Sequence, residues 1–274
     1  MKINAVKKIS VVGLGKLGLC FAAAAASRGI KTLGVDINDA VVESINNGIS
    51  PIIEPGLQEF ISKHHRNLVA SKDHEKAIRE TDITFIVVAT PSNPNGNFSN
   101  KFVESALKSL STALLKSGKD NHLFVISSTV MPTSSEKRLI PLIEKYSKRK
   151  INKGFGVCYV PDFVALGTVI RDFLNPDMVV IGQSSKLYGD IIEKFYKMYC
   201  HNKPEIVRMS IISAEIAKVS LNAYITAKIS FANMLGNLCE KIPGANADDV
   251  SRALGCDKRI SPLYMKAGLA YGGT

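Results

Sequence analysis

Gly13, Gly15 and Gly18 fit the pattern G-x-G-x-x-G, and Asp36 follows some way downstream. That spacing suits phosphate and ribose recognition. Gly13 allows a tight turn, Gly15 lets the backbone approach a pyrophosphate, and Gly18 lets the next helix lie close to a sheet. Lys16 and Leu17 occupy the same turn and join the cofactor-binding candidates. A helix beginning there offers unpaired N–H groups to phosphate oxygens. Asp36 would accept hydrogen bonds from a ribose 2′-hydroxyl and repel a 2′-phosphate, so NAD is expected over NADP. A second group is Glu215, Lys218 and Asn222, whose spacings of three and four put them on one helical face. Two readings stay open for it: a Glu215–Lys218 ion pair on an exposed edge, or a polar site facing the ends of a sheet. Thr90, followed by Pro91, and Thr129 close two apolar runs, where either a ligand contact or a helix cap is expected.

The elements around these residues alternate. "KISVV" precedes the glycine turn, a small-residue helix "LCFAAAAASRG" follows it, and "KTLGVD" carries Asp36. Helical spacing covers Val41 to Asn47, Glu75 to Glu80 and Phe102 to Leu115. "ITFIVVATP" and "LFVISST" are apolar on both faces, as buried parallel strands are. Val157 to Val160 is expected to be the last strand of the sheet. "MVVIG" is a further strand, Lys186 to Tyr199 an amphipathic helix and "IVRM" a short extended piece. This rhythm predicts a Rossmann-like, doubly wound parallel sheet. One long helix from Ile211 to about Lys241 follows, apolar nearly all round, and a second copy of the chain is expected to cover it.

The 274 residues carry a net charge of +11, with 46% hydrophobic and 22% charged residues. The basic run from Lys145 to Lys153 has no aromatic interleaving beyond Tyr146 and no nucleic-acid motif, so an anionic small ligand is expected and nucleic acid is not. No apolar run reaches membrane-spanning length, and no leader is visible before Lys7 and Lys8. The five cysteines are far apart and form no C-x-x-C, which points to a reducing cytoplasm. The five histidines show no metal-ligand spacing, so no metal is expected.

The chain also resembles the UDP-glucose/GDP-mannose, or nucleotide-sugar, dehydrogenases. The resemblance runs through "VVGLGKLG", "VDIN", "EPGL", "ATP", "SST", "PDF", "DFLNPD", "AEIAKVSLNAY", "DKRI" and "GLAYGGT". It implies an NAD-binding domain over residues 1–205, a helical dimerisation domain over 206–274 and a third, sugar-nucleotide-binding domain absent from this chain. It also implies a cytoplasmic homodimer acting in polysaccharide precursor synthesis. The implied reaction is a two-fold oxidation of a sugar C6 alcohol to a carboxylate, through a cysteine that would follow "AYGGT". None of the five cysteines matches that place, so the chain is expected to bind NAD without completing the oxidation alone.

By the same resemblance, Lys218 stabilises the developing alkoxide, Asn222 helps hold the oxyanion, and Thr129 orients a water with an acid. That acid is usually glutamate; here it is Asp162, one methylene shorter. Val164, Ala165, Leu166 and Gly167 match a backbone segment lining the sugar site, but "VALG" departs from the usual UDP-glucose pattern. Arg259, Tyr271, Gly272 and Gly273 complete the implied substrate set. Two other readings fit the residues: a β-hydroxyacid dehydrogenase relative, against which "DKRI" and "AYGGT" argue, and a non-catalytic NAD-binding dimerisation module.

Overall fold

The computed structural model describes residues 6–94 and 96–270. The chain divides into two compact units, residues 1–216 and 217–274.

The first unit is an α/β fold. Its strands are β1 (Lys8–Val12), β2 (Lys31–Val35), β3 (Leu68–Ser71), β4 (Ile83–Ile86), β5 (Leu123–Ile126), β6 (Lys150–Ile151), β7 (Gly154–Tyr159), β8 (Met178–Gln183) and β9 (Glu205–Met209). Its helices are α1 (Lys16–Ser27), α2 (Asp39–Asn46), α3 (Leu57–His64), α4 (His74–Glu80), α5 (Lys101–Lys116), α6 (Ile140–Ser147), α7 (Val169–Leu174) and α8 (Lys186–Tyr199). The sheet runs β3-β2-β1-β4-β5-β7-β8-β9, with β6 beside β7. The half from β3 to β7 is parallel throughout, as alternating helical crossovers require.

Beyond β7 the outcome differs from the expectation. β7 is not the last strand: β8 pairs antiparallel to it and β9 adds parallel to β8. The two apolar runs are also shorter as strands than as sequence: β4 ends at Ile86 and β5 at Ile126, although Val87 N–H still donates to the Val12 carbonyl at 2.8 Å and Ser127 N–H to the Ile86 carbonyl at 3.0 Å.

Helices cover both faces. On one face Phe21 of α1 packs on Phe85 of β4, with ring centroids 4.7 Å apart, and on Phe173 of α7 at 5.3 Å. Ala22 to Ala26 are fully buried, since methyl groups alone let α1 lie flat on the strands. On the other face Leu107, Leu110 and Leu114 of α5 pack with Phe124 and Phe155.

A polar chain crosses the buried sheet. Ser10 Oγ lies 3.0 Å from Thr81 Oγ1 and 2.7 Å from Thr84 Oγ1, which lies 2.8 Å from Nε2 of His122. Burial, with Lys119 and Arg149 adding, pushes the His122 imidazole from 6.5 down to about 3. A base whose folded-state pKa is depressed leaves the unfolded chain holding the extra proton. Stability is therefore expected to fall as pH drops from 6.5 toward 3, by on the order of 3–5 kcal/mol from this group. Urea melts of wild type and His122→Gln over that range check this: the variant's pH slope should be shallower, and equal slopes would contradict it.

The second unit is helical. α9 (Ile211–Cys239) enters it from the first unit, and α10 (Ala247–Gly255) starts at Asn246, whose side chain caps the amides of Asp248 and Asp249. The long helix is continuous, as its unbroken pattern predicts. Lys228 donates to the carbonyls of Ile260 and Ser261, and Asn233 exchanges two hydrogen bonds with the backbone of Gly268. These contacts fold the 257–268 segment back on α9. Tyr224, Phe231, Met234 and Leu238 remain exposed on the helix.

Candidate functional site

Strand register collects the candidate residues of the first unit. Val35, Val12, Ile86, Ile126 and Tyr159 are paired one to the next and form a single row across five strands. Just beyond that row lie Asp36 and Gly13, and a few residues further Gly15, Thr90, Thr129 and Asp162. Thr129 and Asp162 each stand three residues past the paired Ile126 and Tyr159. All of them sit at the C-terminal edge of parallel strands, where open α/β sheets bind ligands.

The glycine turn is built by close packing. Gly13 has φ +92°, and a Cβ there would meet the Val87 carbonyl oxygen at 2.6 Å. A Cβ on Gly18 would overlap the Gly13 carbonyl oxygen itself. Around Gly15, by contrast, nothing lies within 4 Å of a Cβ, and no side chain caps α1. The start of α1 therefore opens on exposed backbone at Gly15 and Lys16, with room for a phosphate beside unpaired helix amides. Asp36 organises the same turn: its Oδ2 accepts from Leu14 N–H at 2.7 Å and its Oδ1 from Asn38 N–H at 3.0 Å. Each carboxylate oxygen keeps a further lone pair for a ribose hydroxyl. Lys16 and Leu17 stand in the first turn of α1, and Thr90 and Pro91 beyond β4.

The loops beyond β4 and β5 are tied together. Ser128 Oγ donates to the Val88 carbonyl at 2.7 Å and accepts from Val88 N–H at 2.9 Å. Farther along the β5 loop, Thr133 adopts φ +75°, the left-handed region a β-branched residue avoids. Glu215, fully buried near the start of α9, accepts from Thr133 N–H at 2.6 Å and from Ser135 N–H at 2.9 Å. Burial raises the Glu215 carboxyl above its usual 4.5, and those two amides pull it partly back. The exposed-edge reading therefore fails at Glu215, a fully buried acid that accepts from backbone donors remote in sequence.

The Val164–Gly167 segment is held by two carboxylates. Asp172 accepts from Ala165 N–H at 3.1 Å and from the Thr168 hydroxyl at 2.6 Å. Burial opposes its charge, yet these donors and Arg171 keep its carboxyl below the usual 3.8. Glu54, from "EPGL", accepts from Gly167 N–H at 2.9 Å and Val169 N–H at 3.2 Å, and faces Lys16 across 3.8 Å. Burial pushes the nearby Cys20 thiol up to about 12, with Glu54 adding to the push and Lys16 opposing it.

In the second unit Lys218 and Asn222 lie one turn apart on α9, both partly buried. Arg259 is exposed and pairs with Asp257 through contacts of 2.6 to 3.2 Å. Tyr271, Gly272 and Gly273 lie outside the described residues. No cluster of metal-ligating side chains occurs among the described residues. No helix there is long and apolar enough to cross a membrane.

Glu54 and Ser128 are site-shaping residues that motif reading does not single out. Glu54 stands before a Pro-Gly turn and Ser128 at a strand end, but their partners are remote in sequence.

Residues 7–200 match the profile of the UDP-glucose/GDP-mannose dehydrogenase family NAD binding domain, and residues 212–274 that of the family's central domain. A GDP-mannose 6-dehydrogenase of Pseudomonas syringae pv. syringae is 35% identical over 271 residues, 97% of this chain and 61% of the relative. The UDP-glucose 6-dehydrogenase AglM of Haloferax volcanii is 35% identical over 270 residues, 97% of this chain and 62% of the relative. Among solved structures, a ternary complex of GDP-mannose dehydrogenase from Pseudomonas aeruginosa superposes with a TM-score of 0.87 at 33% identity, covering 95% of this chain and 60% of that one. A UDP-glucose dehydrogenase from the archaeon Pyrobaculum islandicum gives 0.89 at 31% identity, over 98% and 61%. The chain thus spans about three-fifths of the length of these relatives.

Proposed function

The chain belongs to the UDP-glucose/GDP-mannose dehydrogenase family, and from that premise we propose that it forms the NAD-binding and central parts of a cytoplasmic, homodimeric nucleotide-sugar 6-dehydrogenase. The observation that carries this reading is the uncapped start of α1 above Gly15, with Asp36 bonded to Leu14 N–H beside it. An anionic dinucleotide fits that cradle: the amides and Lys16 would hold its phosphates, and Asp36 its adenosine ribose. When bound, NAD supplies the hydride acceptor for oxidation of an alcohol.

The chain's own residues take the remaining roles. The Lys218 ammonium offsets negative charge on the sugar oxygen as its proton leaves, and the Asn222 carboxamide donates to that oxygen. Thr129 and Asp162, in the loops beyond β5 and β7, orient a water, Asp162 accepting its proton. The backbone of Val164 to Gly167 lines the sugar, with Arg259 and the 271–273 segment contributing to substrate contact. The exposed apolar residues of α9 and the net charge of +11 support, in turn, a covering second copy and an anionic sugar nucleotide.

Calorimetric titration tests the reading. NAD+ is expected to bind and NADP+ to bind much more weakly. Asp36→Ala should weaken NAD+ by roughly tenfold or more, the worth of a hydrogen bond to a charged acceptor, and narrow the gap to NADP+. Equal affinities of wild type and Asp36→Ala would remove the ribose assignment. In the protein as its gene encodes it, Lys218→Ala should abolish NADH formation from a nucleotide sugar while leaving NAD+ affinity in place.

A further inference from the structure

Glu54 is buried, its side chain only 2% exposed, and it faces two different structures. Its Oε1 accepts from the amides of Gly167 and Val169, at the far end of the Val164–Gly167 segment. Its Oε2 lies 3.8 Å from Nζ of Lys16, the lysine of the glycine turn. A charge-assisted hydrogen bond would be about 2.7–2.9 Å long, so this ammonium is attracted but not locked. The Lys16 side chain is 45% exposed, free to swing toward a stronger anion at the start of α1. A buried carboxylate is costly without partners, so the loss of one partner is felt at the others. The geometry between them is stiff: α7, which begins at Val169, is anchored on α1 through Phe173 and Phe21.

We propose that Glu54 is a positioning residue that couples the glycine turn to the Val164–Thr168 segment by way of Lys16, so that dinucleotide binding orders the substrate-lining backbone. The proposal rests on the dinucleotide reading above. While Lys16 faces Glu54, the carboxylate divides its charge between one ammonium and two amides. Once Lys16 turns to a diphosphate, the Gly167 and Val169 amides are left as its close partners and their bonds tighten. Gly167, at φ +92°, is the point about which the segment adjusts. The substrate-lining backbone is thereby set after the dinucleotide arrives.

The test follows amide hydrogen exchange of residues 165–169 alongside calorimetry with NAD+, in wild type, Lys16→Met and Glu54→Gln. In wild type, saturating NAD+ should slow exchange at Gly167 and Val169 severalfold. Lys16→Met should bind NAD+ more weakly, show slow exchange at both amides without NAD+, and give no further response at saturation. Glu54→Gln keeps an acceptor for the amides but no charge, so it should fold, bind NAD+ and show no response. An undiminished response in Lys16→Met, or none in NAD+-saturated wild type, overturns the coupling while leaving the dinucleotide reading intact. Absence of binding heat in all three proteins overturns that reading, and the coupling with it.

Discussion

Gly15→Ala is expected to melt within about 2 °C of wild type yet lose NAD+ affinity by roughly 30-fold or more, whereas Gly18→Ala loses stability and affinity together. The two glycines share a motif but answer to different constraints. At Gly15 φ is −68° and ψ −168°, extended values any residue adopts, and a Cβ meets nothing within 4 Å. The fold has no need of glycine there; an approaching diphosphate does. At Gly18 the added carbon overlaps the Gly13 carbonyl oxygen, a backbone atom fixed by the tight turn and by Gly13 N–H donating to the Val35 carbonyl at 2.8 Å. Either α1 rises from the sheet or the turn opens. Overpacking of this kind costs about 1–3 kcal/mol, which in a domain of this size lowers Tm by roughly 2–4 °C per kcal/mol. Thermal melts with and without NAD+ measure both. Wild-type affinity in Gly15→Ala would show that no ligand approaches that backbone.

Glu215→Ala should be the most destabilising of the substitutions considered, at about 3 kcal/mol. It strands the N–H groups of Thr133 and Ser135 in a buried setting, each costing roughly 1–3 kcal/mol unpaired. It also frees the left-handed Thr133 backbone, so part of that strain is recovered and the sum is less than the two amides together. Thr133→Gly should stabilise wild type by about 1 kcal/mol, because glycine takes φ +75° without a Cβ penalty. Combined with Glu215→Ala it should gain nothing, since the strained turn is no longer enforced. Denaturant titration of the four proteins forms the cycle, and strict additivity would refute the link between the carboxylate and the turn.

The pH dependence carries a sign of its own. Burial raises the folded-state pKa of Glu215 above 4.5, so the folded chain holds the proton more tightly than the unfolded one. The group's stabilising contribution is complete below 4.5 and is lost as pH climbs through the raised value. The advantage of wild type over Glu215→Gln should therefore shrink from pH 4.5 toward neutrality. A widening gap would contradict it.

Local patterns of the sequence determined much of this molecule. The spacing of Gly13, Gly15 and Gly18 between a β-branched run and an alanine-rich one encodes strand, turn and helix, because turn sterics and close packing act over a few neighbouring residues. Period and length fixed α8 and the continuous α9. Asp36 was legible because its distance from the glycines is the length of one βαβ unit.

Tertiary structure decided what sequence spacing cannot carry. Antiparallel pairing of β8 with β7 depends on which edge lies open when the chain returns, and "MVVIG" reads the same in either direction of pairing. The row from Val35 to Tyr159, from whose end the Thr129 and Asp162 loops start, is a product of register between strands. Glu54 carries no signal of its own in sequence and Glu215 reads equally as an edge acid or a site acid, yet they serve amides 113 and 80 residues away. A carboxylate's role is set by the donors the folded backbone brings to it, and those donors carry no side-chain identity to be read in advance.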